Sequence, residues 1–157
     1  MNRARHDPLA GATAYPWPMQ PDVARARFGA APLAHLATAA ADGTPHLVAI
    51  CFAVLGDRIV TALDHKPKRT VRLRRLANIA MNPRVCLLVD HYDPGDWSAL
   101  WWARADGIAR VLAPESDAAA DAVDALVARY PQYAAHRPDG PVIEVAVSRW
   151  SGWVAGG

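Results

Sequence analysis

Apolar and polar positions along the chain fall into strand-sized runs interrupted by two helical stripes. From His35 the runs His35–Ala40, His46–Leu55 and Arg58–Leu63 are separated by Asp42-Gly43 and Gly56-Asp57, which reads as three strands in a meander paired by adjacency. Pro67 suits the first turn of a helix. Over 68–81, Leu73, Leu76, Ile79 and Ala80 cluster on one face at 100° per residue, and Asn82-Pro83 ends the pattern. Arg84–Tyr92 is a fourth strand, and Ala99–Leu112 a long fifth with a bulge or bend at Asp106-Gly107. Pro114–Tyr130 carries Ala119, Val123, Leu126, Val127 and Tyr130 along one stripe, and Val142–Trp150 is the last strand. Ahead of these, 22–31 is a short helix with Asp22 as N-cap and Gly29 as stop. Residues 1–21, with prolines at 8, 16, 18 and 21, read as an irregular arm preceding a domain over 22–157.

Three strands in a row before the first long helix argue against a repeated βαβ unit. The expectation is a mainly β fold with helices: a small antiparallel barrel of six strands and two main helices. A length of 157 residues suits one domain that buries its core without disulfides. No apolar run approaches the roughly 18 residues of a membrane span, and the chain opens with no signal-peptide pattern. Cys51 and Cys86 sit inside apolar runs with no CxxC, so a reducing cytoplasm is expected.

Charge changes the picture only when it is localised. The net +2 comes from 17 cations against 15 acids, yet six of the cations (Lys66, Lys68, Arg69, Arg72, Arg74, Arg75) fall in ten residues that hold no acid. Taking those six from +2 leaves −4 over the other 147 residues. Fifteen of the 17 cations are Arg, and both lysines lie in this stretch. Lys is a compact point charge suited to phosphate, and a helix start adds unpaired N–H groups. An anion site at the end of the third strand therefore competes with a solvated helix face. A nucleic-acid surface is weakened by the acidic remainder, which repels a long polyanion. Trp97, Trp101, Trp102, Trp150 and Trp153 are candidate core or interface aromatics, with Trp101 and Trp102 on opposite faces of their strand. Cys51, Cys86, His65 and His91 match no metal-ligand spacing, and Ser98 with His91 and Asp90 lacks a nucleophile elbow.

The motifs DG-x-P-H at 42–46, T-x-x-x-x-K-x-K-R at 61–69, N-P-R-V at 82–85 and R-x-D-G-x-A-R-V at 104–111 resemble the flavin-reductase-like split β-barrels of the pyridoxamine 5′-phosphate oxidase superfamily. The resemblance covers about Ala34 to Trp153 and leans toward the branch that uses the deazaflavin coenzyme F420. It implies a homodimer of six-stranded split barrels with the cofactor in a groove between subunits. It also implies cofactor-binding roles for Thr61, Lys66, Lys68, Arg69 and Arg72 at the phosphate, and for the backbone of Val48, Ala49 and Ile50 beside the ring. The implied activity is hydride transfer from reduced F420 to an activated double bond of a small molecule, with His91, Tyr92 or solvent as proton source. FMN is the alternative cofactor, and a non-catalytic cofactor-binding protein the alternative role. Two departures from the oxidase pattern point away from pyridoxamine phosphate oxidation: Lys68 precedes Asn82 by fourteen residues, which lengthens the helix, and Val48 stands where the oxidases carry an arginine.

Overall fold

The computed structural model describes residues 18–63 and 73–155. The elements run α1 (Pro21–Ala30), β1 (Ala34–Ala39), β2 (Pro45–Ile50), β3 (Ala53–Leu55), β4 (Arg58–Ala62), α2 (Arg74–Met81), β5 (Arg84–His91), β6 (Trp101–Leu112), α3 (Asp117–Arg129), α4 (Pro131–Ala135) and β7 (Val142–Val154). Seven strands form one antiparallel sheet in the order β2-β1-β5-β6-β7-β4-β3. No helix among the described residues is long and apolar enough to cross a membrane.

The expected count of six strands is corrected to seven because the run His46–Leu55 is two strands, β2 and β3, that break at Cys51-Phe52. The expected meander is corrected with it: β2 pairs with β1, whereas β4 pairs with β3 on one side and β7 on the other. The sheet therefore has β2 and β3 at its two edges, joined by two residues. A flat seven-stranded sheet would hold its edges roughly 29 Å apart at 4.8 Å per strand, but two linking residues span only about 10 Å. The sheet must roll, and it stays open in its hydrogen bonding between β2 and β3.

Rolling gives an inner face and an outer one. Leu36, Ile50, Phe52, Ile59, Leu87, Val89, Ala103, Ala105, Ile143 and Val145 point inward and pack with Phe28 of α1. The outer face of the other half carries Ala53, Val60, Leu112 and Val142, which α3 covers with Ala119, Ala122, Val123 and Leu126. α3 starts at Asp117 because the Ser116 hydroxyl accepts from Ala119 N–H at 3.2 Å.

The long β6–β7 ribbon runs through both halves. Its register shifts between Asp106 and Gly107, as the bend signal predicted, but the extra residue is Ser148 of β7, whose hydroxyl donates to Asp106 O at 3.0 Å. Gly107 is required there, since a Cβ would lie 2.4 Å from Ala146 O.

Other boundaries shift from expectation. The helix expected over 68–81 is described from Arg74, with Leu73 before it extended, and Pro67 lies outside the described residues. α1 is capped at Gln20 with Pro21 in its first turn, so Asp22 lies inside the helix. Part of the expected arm belongs to the fold: Pro18 bridges Trp153, and Met19 is buried with its N–H donating to Gly152 O at 2.9 Å.

Candidate functional site

Of the residues expected at the cofactor, the structure describes Val48, Ala49 and Ile50 on β2 and Thr61 on β4. Ala53 pairs with Val60 in the β3–β4 hairpin. Continuing that register by one sets Thr61 opposite Phe52, two residues beyond Ile50. Thr61 is 6% exposed, on the inner face of β4 opposite Ile143. After Ala62 the Leu63 N–H donates to Pro141 O at 3.2 Å. Lys66, Lys68, Arg69 and Arg72 follow in the sequence and lie outside the described residues.

Val48, Ala49 and Ile50 occupy the edge strand β2. Alternation splits them: Val48 and Ile50 face the core, and Ala49 faces outward opposite His35. Their shared feature is backbone on a strand that pairs with β1 alone among the described strands.

The chain resumes at Leu73, and Arg74 and Arg75 open α2. The positive charge of Arg74 reaches Asp42 in the β1–β2 turn, whose carboxyl is held below its ordinary value chiefly by the Thr44 backbone and side-chain bonds and, more weakly, by Arg74. Deeper in α2, the Asn78 side-chain amide donates to the Thr38 hydroxyl at 3.0 Å, a buried bond that fixes the helix to β1. The cationic helix start therefore sits beside the hairpin that carries the edge strand.

The outer face of β2, β1, β5 and β6 forms a groove of about 700 Å³, lined by His35, Leu47, Cys86, Leu88, Trp102 and Arg104 among others. Trp102 faces this groove and Trp101 the interior, as alternation predicts. Trp101 lies under the Arg27 guanidinium at 5.1 Å, and the His91 ring stacks on it at 6.0 Å.

In the groove wall, Arg104 Nη2 donates to Asp106 Oδ2 at 3.0 Å. Arg104 Nε and the Ser151 hydroxyl, on cross-strand partner residues, are buried without a partner. Burial, reinforced by the negative charge of Asp106, pushes the Cys86 thiol up to about 11. Near neutral pH it is a neutral packing group and not a nucleophile.

Among the described residues no three His, Cys, Asp or Glu side chains gather as a metal site. The Ser98 hydroxyl donates to Asp96, the cap of its own 3₁₀ turn, and not to a histidine.

Sequence reasoning missed the β2–β3 junction. Phe52 N–H donates to the Tyr130 hydroxyl at 3.1 Å, and Phe52 O lies 3.0 Å from the same oxygen. A tyrosine 78 residues away leaves no periodic signal beyond its place on the α3 stripe.

A family model described as pyridoxamine 5′-phosphate oxidase matches residues 21–154. No curated protein matches the chain. Among solved structures, a FAD-binding protein from Mesorhizobium loti is 16% identical, covers 89% of this chain and 98% of its own, and has a TM-score of 0.69. The heme storage protein of Vibrio cholerae is 15% identical, with 87% and 95% covered and a TM-score of 0.66. A FAD-binding protein from Mycobacterium smegmatis is 18% identical, with 89% and 97% covered and a TM-score of 0.60. At these identities the likeness is one of fold.

Proposed function

Since the chain belongs to the pyridoxamine 5′-phosphate oxidase family, we propose that it is an oxidoreductase that holds reduced coenzyme F420 and acts on an activated double bond of a small molecule. The observation that carries this reading is the β3–β4 register. It pairs β4 with β3, the strand that follows Val48, Ala49 and Ile50 after a two-residue link, so Thr61 and the cation-rich segment after it leave from the strand beside the continuation of the one assigned to the ring. When bound, the deazaflavin supplies the hydride.

The donor set fits such a group. The Thr61 hydroxyl and the ammonium groups of Lys66 and Lys68 match a phosphate, Arg69 and Arg72 extend the positive charge toward an anionic tail, and the β2 backbone offers a side not taken by β1. His91, Tyr92 or water completes the product with a proton. The rolled sheet, open between β2 and β3, supports the split-barrel reading.

A second copy of the chain belongs on the groove face. Leu47, Leu88 and Trp102 make that face apolar, and Asp90 with Arg104 gives it both signs of charge, which suits a two-fold pairing.

The test is a titration of the purified protein with F420 and with FMN, followed by quenching of Trp emission. Submicromolar binding of F420, weaker binding of FMN, and about a hundredfold loss in Lys66→Ala/Lys68→Ala are the expected results. Tighter FMN binding would move the protein to the flavin reading, as in the FAD-binding relatives. Hemin bound in place of both would assign it a heme-storage role like that of the Vibrio cholerae protein. A lysine double variant that binds as wild type removes the proposed anchor.

A further inference from the structure

The edge strand assigned to the ring has a support that comes from the opposite side of the molecule. Ala34 and Ile50 form the last pair of the β1–β2 ladder. Two residues beyond it on each strand stand Pro32 and Phe52, where a next rung would form. Pro32 has no N–H, so the two backbones cannot close that rung themselves. The Tyr130 hydroxyl stands in for it: it accepts from Phe52 N–H at 3.1 Å and lies 3.0 Å from both Pro32 O and Phe52 O, either of which takes its single proton.

The preceding residue grips the same junction by its side chain. The Arg129 guanidinium lies 4.6 Å over the Phe52 ring and donates to Gly29 O at 2.6 Å and to Ala31 O, just past the end of α1. Phe52 is fully buried and meets Phe28 edge-on at 5.0 Å. The end of α3 therefore fixes both the backbone and the ring of the residue that lies opposite Thr61.

We infer that Tyr130 and Arg129 are positioning residues for the cofactor ring, acting through the β2–β3 junction. The inference rests on the reading of Val48–Ile50 and Thr61 as the cofactor-flanking residues. Without the hydroxyl, Phe52 N–H and O are left buried with no partner, and the end of β2 is released to move. Such motion alters how the ring is held without removing any cation assigned to the phosphate. Anchoring and ring immobilisation are thereby assigned to different parts of the chain.

The experiment compares wild type, Tyr130→Phe and Lys66→Ala/Lys68→Ala by amide hydrogen exchange and by the fluorescence anisotropy decay of bound F420, or of bound FMN if that is the cofactor held. In Tyr130→Phe, protection of the Phe52 amide is expected to fall at least about tenfold while the β5–β6 amides keep theirs. The bound ring should gain fast motion, with an affinity within about threefold of wild type. The lysine variant should show the converse, lost affinity with Phe52 protection intact.

If Tyr130→Phe does not fold, Arg129→Lys, which keeps the hydroxyl but not the planar stack on Phe52, should move both readouts in the same direction by less. Unchanged Phe52 protection overturns the inference. So does lost protection with a ring as rigid as in wild type. A wild-type protein that binds neither F420 nor FMN removes the cofactor reading and this inference together, whereas tight wild-type binding with an unmoved ring in the variants removes the inference alone.

Discussion

The two halves of the β6–β7 ribbon have the same alternation and opposite fates on their outer faces. In the half that holds Leu112 and Val142, those two outward side chains are covered by α3, while Ile108 and Arg110 farther along the row stay exposed. In the half that holds Trp102, Arg104, Ser151 and Trp153, no described element of the chain covers them, and Leu47 on β2 beside them is 64% exposed. The outer row of the bare half is mixed, with Trp102 and Trp153 beside Arg104, Asp106, Arg149 and Ser151. Among the described elements the difference lies in where α3 packs, and the second copy of the chain proposed above is the counterpart of α3 on the bare half.

The largest effect expected from this contrast is on the covered half. Leu126→Ala empties a fully buried position under α3 and should cost about 3 kcal/mol in chemical denaturation. The contrast breaks if Leu88→Ala, in the bare groove, costs the monomer as much.

Next comes self-association. Leu47→Arg should leave the stability of the monomer within about 0.5 kcal/mol and weaken dimerisation by about 2 kcal/mol, roughly thirtyfold, because it buries an unpaired charge in the contact. Sedimentation velocity across a concentration series measures it, and a variant that dimerises as wild type would place the second copy elsewhere.

Within the covered half sits a carboxylate that ties its strands together. Glu144, with a side chain 4% exposed, accepts from Arg58 Nη1 at 2.8 Å and from Arg110 Nε at 2.7 Å, tying β4, β7 and β6 together. Glu144→Gln should cost about 1.5 kcal/mol in low salt, a modest loss because both arginines are about half exposed or more and water screens them.

The smallest effect is a pH dependence in the bare half. The thiol of Cys86 is raised from 9.0 to about 11 in the folded chain, so between those values the unfolded state has lost the proton that the folded state keeps. Stability is whole below pH 9 and falls as pH rises toward 11, by under about 1 kcal/mol once solvent screening at this half-exposed group is allowed for. Unfolding curves at pH 8 and pH 10.5, compared with Cys86→Ala, should show the slope in wild type alone. If a second copy covers the groove, iodoacetamide should reach Cys86 more slowly as protein concentration rises.

Local chemistry made much of this fold legible. Gly43 and Gly56 take positive φ at the turns where they were expected, and Trp101 and Trp102 divide between the two faces as alternation requires. What escaped is non-local. The break at Cys51-Phe52 was invisible because the run around it is uniformly apolar, and the backbone partner that ends β2 is Tyr130. The last strand was expected to end at Trp150, yet β7 continues to Val154, and a Cβ on Gly152 would lie 2.9 Å from both Met19 Sδ and Trp102 O. The adjacency of β4 and β7 depends on the roll of the whole sheet. At the site, the place of Thr61 on β4 follows from a short hairpin register, whereas Lys66, Lys68, Arg69 and Arg72 stand outside the described residues.

Ser148 gives the chain an arithmetic of its own. Before it, β7 turns odd-numbered residues inward, Ile143 and Val145 among them, and after it even-numbered ones, Trp150 and Gly152. One residue thus inverts the parity of everything downstream. Deleting Ser148 alone would leave Gly107, Asp106 and Ala105 opposite Val147, Arg149 and Trp150 in plain alternation, so Trp150 would stay inside and Trp153 outside. Ser148 is therefore a place where the ribbon can lose one residue without turning a face over, a constraint on how its length can drift over generations.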